Sequence, residues 1–240
     1  MELDFSVPSF DQKTNASLPK AAEVSHLPKP KEPHTFVSSP STVNKILLIF
    51  PPAYTIKSSR DINPLPPIGI GMLASVLEKK NYEVRILDCL VRGWNQEEET
   101  QENKDIVRVG LTNDQIEEYI KEYEPDVVGL SCMFSVQHKI YPQIFAAVKS
   151  ANANIITVAG GAHVTVCSKE VLEDPNCDYV ISGEGEESIV DFLEVLQGRK
   201  SFESVDGLGW RKDDSDYVLN PKLKWIEDLD ALPFPAYHLI

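Results

Sequence analysis

The sequence predicts an α/β protein with a doubly wound parallel sheet, and three observations carry that reading. Between Lys45 and Gly198, five short apolar runs alternate with five segments of helical periodicity. The runs are apolar almost throughout, as strands covered by helices on both faces must be, and Pro, Gly and Asn residues bound them. A helical segment after each run supplies the right-handed crossover that parallel neighbours require.

The first run, Ile46-Leu47-Leu48-Ile49-Phe50, is stopped by Pro51-Pro52. A Pro-containing loop leads to Pro66-Pro67, which opens a helix over Ile68 to Lys80 with Ile68, Met72, Leu73, Val76 and Leu77 on one face. Tyr82 to Leu87 reads as the second strand. Gly93 to Asp105 is polar and mainly acidic and reads as a solvated excursion. Thr112 or Asn113 then caps a helix through Tyr123, terminated by Pro125. Asp126 to Ser131 is the third strand, Val136 to Ser150 a helix, and Asn154 to Ala159 the fourth strand, which runs into Gly160-Gly161. A helix from Thr165 to Glu173, a fifth strand at Asp178 to Ser182 and a helix over Glu186 to Gln197 closed by Gly198 complete the unit. Gly207 to Arg211 and Tyr217 to Leu219 flank a charged turn and predict a C-terminal β-hairpin; 228–235 reads as an extended connector. Residues 1–43 hold six of the seventeen prolines and no apolar period, the composition of a disordered arm. The expected organisation is therefore arm 1–43, α/β domain 44–200, and hairpin with connector 201–240.

Composition narrows the function. The chain is 42% hydrophobic and 25% charged, as expected of a soluble globular core, and its net charge of -14 lacks the basic footprint of a nucleic-acid or anionic-lipid binder. Its apolar runs are a handful of residues long, whereas a membrane-spanning helix needs about 20. Met1-Glu2-Leu3-Asp4 has neither the basic start nor the apolar run of a signal peptide, so the cytoplasm is the expected compartment. Cys89, Cys132, Cys167 and Cys177 form no paired motif, which predicts reduced thiols and no zinc or cluster loop.

Ligands of open doubly wound sheets bind outside the carboxyl ends of the strands. The candidate binding residues there are Pro52, Ala53 and Tyr54 after the first strand; Ser131, Cys132, Met133, Phe134 and Ser135 after the third; Gly160, Gly161, Ala162 and His163 after the fourth; and Gly183, Glu184, Gly185 and Glu186 after the fifth. Pro67 and Gly69 join them from the entry of the first helix. Gly160-Gly161 beside the small Ser131 would line a deep slot, because glycine lets a ligand approach the backbone; a tight strand-to-helix turn is the simpler explanation of the same pair. Glutamates at the start of the last helix disfavour a phosphate and suit a ligand rich in amide N–H donors; Glu186 is equally an ordinary first-turn acid.

These residues carry a family resemblance. Pro51-Pro52, Pro66-Pro67-Ile68-Gly69-Ile70, Pro125-Asp126-Val127-Val128-Gly129-Leu130-Ser131, Gly160-Gly161-Ala162-His163, Gly183-Glu184-Gly185-Glu186 and Asp228-Leu229-Asp230-Ala231-Leu232-Pro233 occur in that order. The series resembles the N-terminal cobalamin (B12)-binding domain of the B12-binding radical SAM enzymes over 44–240. The resemblance implies a flavodoxin-like, Rossmann-like sheet whose strand ends hold the corrin, with the nucleotide tail in a slot at Ser131 and Gly160-Gly161. It implies a methyltransferase-type enzyme, with ring rearrangement and oxidative cyclisation as other reactions of the family. The [4Fe–4S] cluster and S-adenosylmethionine would sit in a radical SAM domain expected beyond 233–235, in cis or as a separate chain. This sequence carries no Cys-x-x-x-Cys-x-x-Cys loop, so the chain alone is not expected to cleave S-adenosylmethionine.

One departure concerns the cobalt. Classical B12 proteins carry Asp-x-His-x-x-Gly after the first strand, and Pro51 to Asp61 contains no histidine. No protein ligand to the metal is assigned; His163, the histidine of the strand-end loops, is expected to hydrogen-bond or pack, with cobalt ligation as the lesser alternative. Among rival readings, Gly69-Ile70-Gly71-Met72-Leu73-Ala74 matches a dinucleotide fingerprint with Asp88 downstream, but the first glycine lies far from Phe50 rather than in the turn after the strand. Gly69 and Gly71 then read as close helix packing. A cofactor-free docking module of the same fold is the other alternative. Nucleophilic catalysis by Cys132 has only His138 and Lys139 nearby to support it, and a small slot-lining role fits it better.

Overall fold

The computed structural model describes residues 43–58, 62, 64–213 and 216–240. All but the last residue of the expected arm lies outside the described residues. Five parallel strands form the centre: β1 (Lys45–Phe50), β3 (Glu83–Asp88), β6 (Val127–Ser131), β7 (Ile156–Gly160) and β8 (Tyr179–Ile181). They lie in the order β3-β1-β6-β7-β8, so the chain winds to one side of β1 and then returns to build the other. The predicted hairpin, β9 (Leu208–Arg211) and β10 (Tyr217–Leu219), continues this sheet antiparallel to β8, making seven strands.

Both faces are covered, which is why the strands read as continuous apolar runs. On one face Leu47 and Ile49 pack with α3 (Asn113–Tyr123), α4 (Tyr141–Ala151) and α5 (Ala162–Leu172) through Ile116, Ile144 and Leu172. The alternate residues Ile46 and Leu48 face α1 (Ile68–Lys79) and α6 (Glu186–Leu196) through Leu77, Phe192 and Leu193. Helix α3 begins in a capping box: Thr112 Oγ1 accepts from Gln115 N, while Gln115 Oε1 accepts from Thr112 N.

Three expectations need correction. The acidic excursion is partly a strand: β4 (Glu97–Glu99) pairs with β5 (Ile106–Val109), which pairs with β2 (Ala53–Ile56) in a separate antiparallel sheet. β4 is three exposed glutamates, so no alternation marks it; its partner supplies Val107 and Val109, which bury with Leu90. Helix α4 starts at Tyr141 rather than Val136, because Ser135–Gln137 forms a 3₁₀ turn and Pro142 fits the first helical turn. Helix α5 starts at Ala162, directly after Gly161, rather than at Thr165. Asp88, the acid of the rejected dinucleotide fingerprint, caps the short helix α2 (Cys89–Arg92) by accepting from Val91 N at 2.9 Å; burial raises its pKa.

Candidate functional site

A cavity of about 200 Å³ opens at the carboxyl ends of β6, β7 and β8, between the start of α1 and the 183–186 loop. It brings together nine of the candidates: Gly69, Ser131, Met133, Gly160, Gly161, Gly183, Glu184, Gly185 and Glu186. Ser131 and Gly160 are direct partners in the β6–β7 register, so a hydroxyl and a bare Cα lie side by side at the rim.

The two glycines of the pair do different things. Gly161 has φ +111° and ψ 178°, and a Cβ there would lie 2.8 Å from the carbonyl oxygen of Cys132. Backbone geometry alone demands glycine. That close approach is locked by Cys132 N donating to Gly160 O at 2.7 Å and His163 N donating to Cys132 O at 3.1 Å. Gly160 has no such reason: it belongs to an ordinary strand, and the nearest atom to an added Cβ is Ile181 O at 3.8 Å. Its missing side chain leaves room in the cavity. Gly69 is similar, with nothing within 4 Å of an added Cβ, so it opens on the cavity instead of packing a helix as expected. Gly71 does pack: Pro235 and Ile240 lie against it.

The opposite wall is acidic. Glu184 Oε2 accepts from Ile226 N at 2.7 Å, whereas Glu186 Oε2 is buried without a hydrogen-bond partner. An unsatisfied buried acceptor is costly unless something donates to it, so Glu186 is prepared for an N–H or O–H donor. Gly183 adopts φ +75°, which turns the chain into this wall. Apart from Glu184 and Glu186 the lining carries no ionisable side chain. The polar side chains offered to the cavity are the Ser131 hydroxyl and the carboxylates of Glu184 and Glu186, on an otherwise apolar and glycine lining.

The other candidates lie outside the lining. Cys132 is fully buried in the core with its thiol pKa pushed well up by burial, which corrects the expectation that it lines the slot. His163 is largely buried; its Nδ1 lies 2.9 Å from Ser135 Oγ and its ring is tilted over Tyr141, so it fixes the loop after β6. Burial, aided by neighbouring His138, lowers its pKa and favours the neutral ring. Phe134 is 58% exposed, and with the half-exposed Met133 it gives the mouth an apolar lip. Tyr54 N donates to Gln137 Oε1 at 2.7 Å and its hydroxyl accepts from Gln143 Nε2 at 3.1 Å, which ties the β2 segment to the β6 loop. Pro52 is buried beside Gly110, Ala53 pairs with Val109, Ala162 stands exposed at the start of α5, and Pro67 is buried at the entry of α1.

Sequence reasoning missed the apolar floor: Leu48, Ile70, Leu73, Val158, Ile181 and Ile189. The helical face containing Leu73 was visible, but a residue that meets a cavity and one that meets a strand look alike in the periodicity. Among the described residues no group of three or more His, Cys, Asp or Glu is disposed to hold a metal ion, and no helix is long and apolar enough to cross a membrane.

Comparison with known proteins gives the family. Residues 62–193, more than half of the chain, match the B12 binding domain model. The chain is 33% identical over 228 residues to the cytidylyl-2-hydroxyethylphosphonate methyltransferase of Streptomyces wedmorensis, covering 84% of this chain and 42% of that protein. It is 28% identical over 199 residues to an uncharacterized methyltransferase of Pyrococcus horikoshii, covering 82% of this chain and 39% of the relative. It thus spans about two fifths of the length of these relatives. A similar fold occurs in the cobalamin-dependent S-adenosylmethionine radical enzyme OxsB solved with aqua-cobalamin and S-adenosylmethionine, with TM-score 0.62 and 18% identity over 82% of this chain and 24% of that one. The open parallel sheet and the family match lead to one assignment: the chain belongs to the B12-binding domain family, whose cofactor is cobalamin.

Proposed function

We propose that this domain holds cobalamin over the carboxyl ends of β6, β7 and β8, with the nucleotide tail entering the cavity beside Gly160, and that it serves a cobalamin-dependent radical SAM methyltransferase. The observation that carries the reading is Gly160: neither its backbone nor its neighbours require glycine, yet any side chain there would occupy the cavity. Glu186 fits the same ligand, because its unpartnered buried oxygen suits the amide and hydroxyl donors of the cofactor. Ser131 adds a hydroxyl beside the slot, and Met133 and Phe134 offer apolar surface to the macrocycle.

When bound, cobalamin supplies a cobalt centre able to carry a methyl group. The chain's own residues bind and orient it. His163 is engaged through Nδ1 with Ser135 and holds the loop after β6. The methyltransferase role rests on the names of the two curated relatives, one of which acts on a cytidylyl-2-hydroxyethylphosphonate. The iron–sulfur cluster and S-adenosylmethionine belong, in this proposal, to a radical SAM catalytic domain that works against the strand-end face, in the same polypeptide or as a separate chain.

The test mixes the purified chain with hydroxocobalamin, removes free cofactor by desalting, and reads visible absorption and cobalt content. Near-stoichiometric retention by the native chain, lost in a folded Gly160→Trp variant, is the expected result. A well-folded native chain that retains no cobalt contradicts the proposal. Cofactor-free docking would then be the better reading.

A further inference from the structure

The cavity wall formed by 183–186 is held from outside by the segment after the hairpin. Lys222 Nζ donates to Glu184 O at 2.7 Å and to Ser188 Oγ at 3.1 Å, and forms an ion pair with Asp206 at 3.2 Å. Its stem fills the space over two glycines: a Cβ on Gly183 would lie 3.0 Å from Lys222 Cγ, and one on Gly207 3.2 Å from Lys222 Cδ. The same carboxylate, Asp206, accepts from Leu223 N and Lys224 N, while Glu184 Oε2 accepts from Ile226 N. Burial would raise the Asp206 pKa, but these backbone donors and the Lys222 ammonium outweigh it and hold the carboxyl below its usual value.

Apolar burial does not explain why the segment lies there. Leu223 is 74% exposed and Trp225 61% exposed, so 222–226 is fastened mainly by polar bonds to the wall. Further along, Ala236 N donates to Gly71 O at 2.9 Å, and Pro235 packs on Gly71, one residue from Ile70 of the opposite wall. The chain from Lys222 to Ala236 therefore runs from the 183–186 wall to the start of α1.

We propose that Lys222 is a positioning residue that couples the 222–226 strap to the ligand-binding state of the cavity. This rests on the proposed binding of cobalamin in that cavity. Linkage makes the coupling reciprocal: if the strap shapes the wall for the ligand, the ligand must tighten the strap by the same factor, although the strap does not line the cavity.

The experiment follows amide hydrogen exchange in the full chain, native and Lys222→Met, with and without saturating hydroxocobalamin, together with affinity by visible titration. Without cofactor, exchange in 183–190 and 222–226 should quicken severalfold in the variant while β1, α3 and α4 keep their native rates. A purely structural loss would instead quicken exchange across the sheet. In the native chain, cobalamin should slow exchange in 222–226; the variant should lose this remote protection while keeping protection at Ser131 to Met133, and should bind about tenfold more weakly. Unchanged exchange in 183–190 of the cofactor-free variant overturns the proposal, whatever the ligand result. So does native-like affinity, or a strap in the native chain that ignores bound cobalamin. If the native chain retains no cobalamin, the function reading fails, and with it the ligand-coupled role of Lys222; a local effect on exchange would then identify a clamp of the loop alone.

Discussion

The carboxyl edge of the central sheet is finished in two ways. Beyond β1 and β3 the chain builds a second sheet: β2, β5 and β4 pair antiparallel, and Leu90, Val107 and Val109 close a small core beneath Trp94 and Phe50. Beyond β6, β7 and β8 the same edge carries Ser131, Gly160 and Gly183, and a cavity remains. Glycine occurs in both regions, so glycine itself does not distinguish them. Gly110, at φ +125° and pressed against Pro52 and Cys89 O, serves the closed half, as Gly161 serves the backbone of the open one. Gly160 and Gly69 differ because an added Cβ would meet no close neighbour: Ile181 O at 3.8 Å in the first case and nothing within 4 Å in the second. A glycine without a backbone reason points to a ligand; a glycine with one points to the fold.

That contrast can be broken by substitution. The largest effect is expected for Gly160→Trp, which should reduce cobalamin affinity at least about 100-fold while leaving thermal unfolding near native, since a ring replaces the ligand instead of displacing protein atoms. Gly161→Ala should do the reverse in kind: its strained φ and the contact with Cys132 O should cost about 1–3 kcal/mol or more of stability, read by denaturant unfolding. Equal behaviour of the two variants would erase the distinction. Glu186→Gln keeps the shape and tests the orphaned oxygen; a loss in affinity of about threefold to tenfold is expected, whereas a simple helix-start acid would lose about 0.3–1 kcal/mol of stability and no affinity.

The smallest effect is in pH. Because burial lowers the pKa of His163 below its ordinary 6.5, the folded protein favours the neutral ring. Its stabilising contribution is present above 6.5 and is lost as pH falls through the lowered folded value. His163→Asn, which keeps a polar group toward Ser135, should flatten the decline of melting temperature below pH 6.5. A native-like decline in the variant would assign the acid sensitivity elsewhere.

The sequence made the open half easier to read than the closed one, for physical reasons. Continuous apolar runs such as Ile46 to Phe50 and Val127 to Leu130 announce strands buried on both faces, and Thr112, Pro125 and Gly198 mark helix ends through capping and termination chemistry that is local in sequence. Glu97–Glu99 is the opposite case: its strand exists through backbone pairing with Ile106–Val109, and its three exposed glutamates show no apolar alternation. At the site, the Gly160-Gly161 pair was visible, but the division of labour within it depends on a φ angle and on Cys132 from the loop after β6. The strap contacts of Lys222 were hidden for the same reason, since 38 residues separate it from Glu184.

The central claim is that the cavity beside Gly160 receives the nucleotide tail of cobalamin. The most direct measurement compares equilibrium affinities of the native chain for hydroxocobalamin and for a cobinamide, which retains the corrin but lacks the nucleotide. The prediction is that cobinamide binds about 100-fold more weakly in the native chain, and that Gly160→Trp removes this difference by weakening hydroxocobalamin alone. Equal affinity of the native chain for the two corrinoids would contradict it.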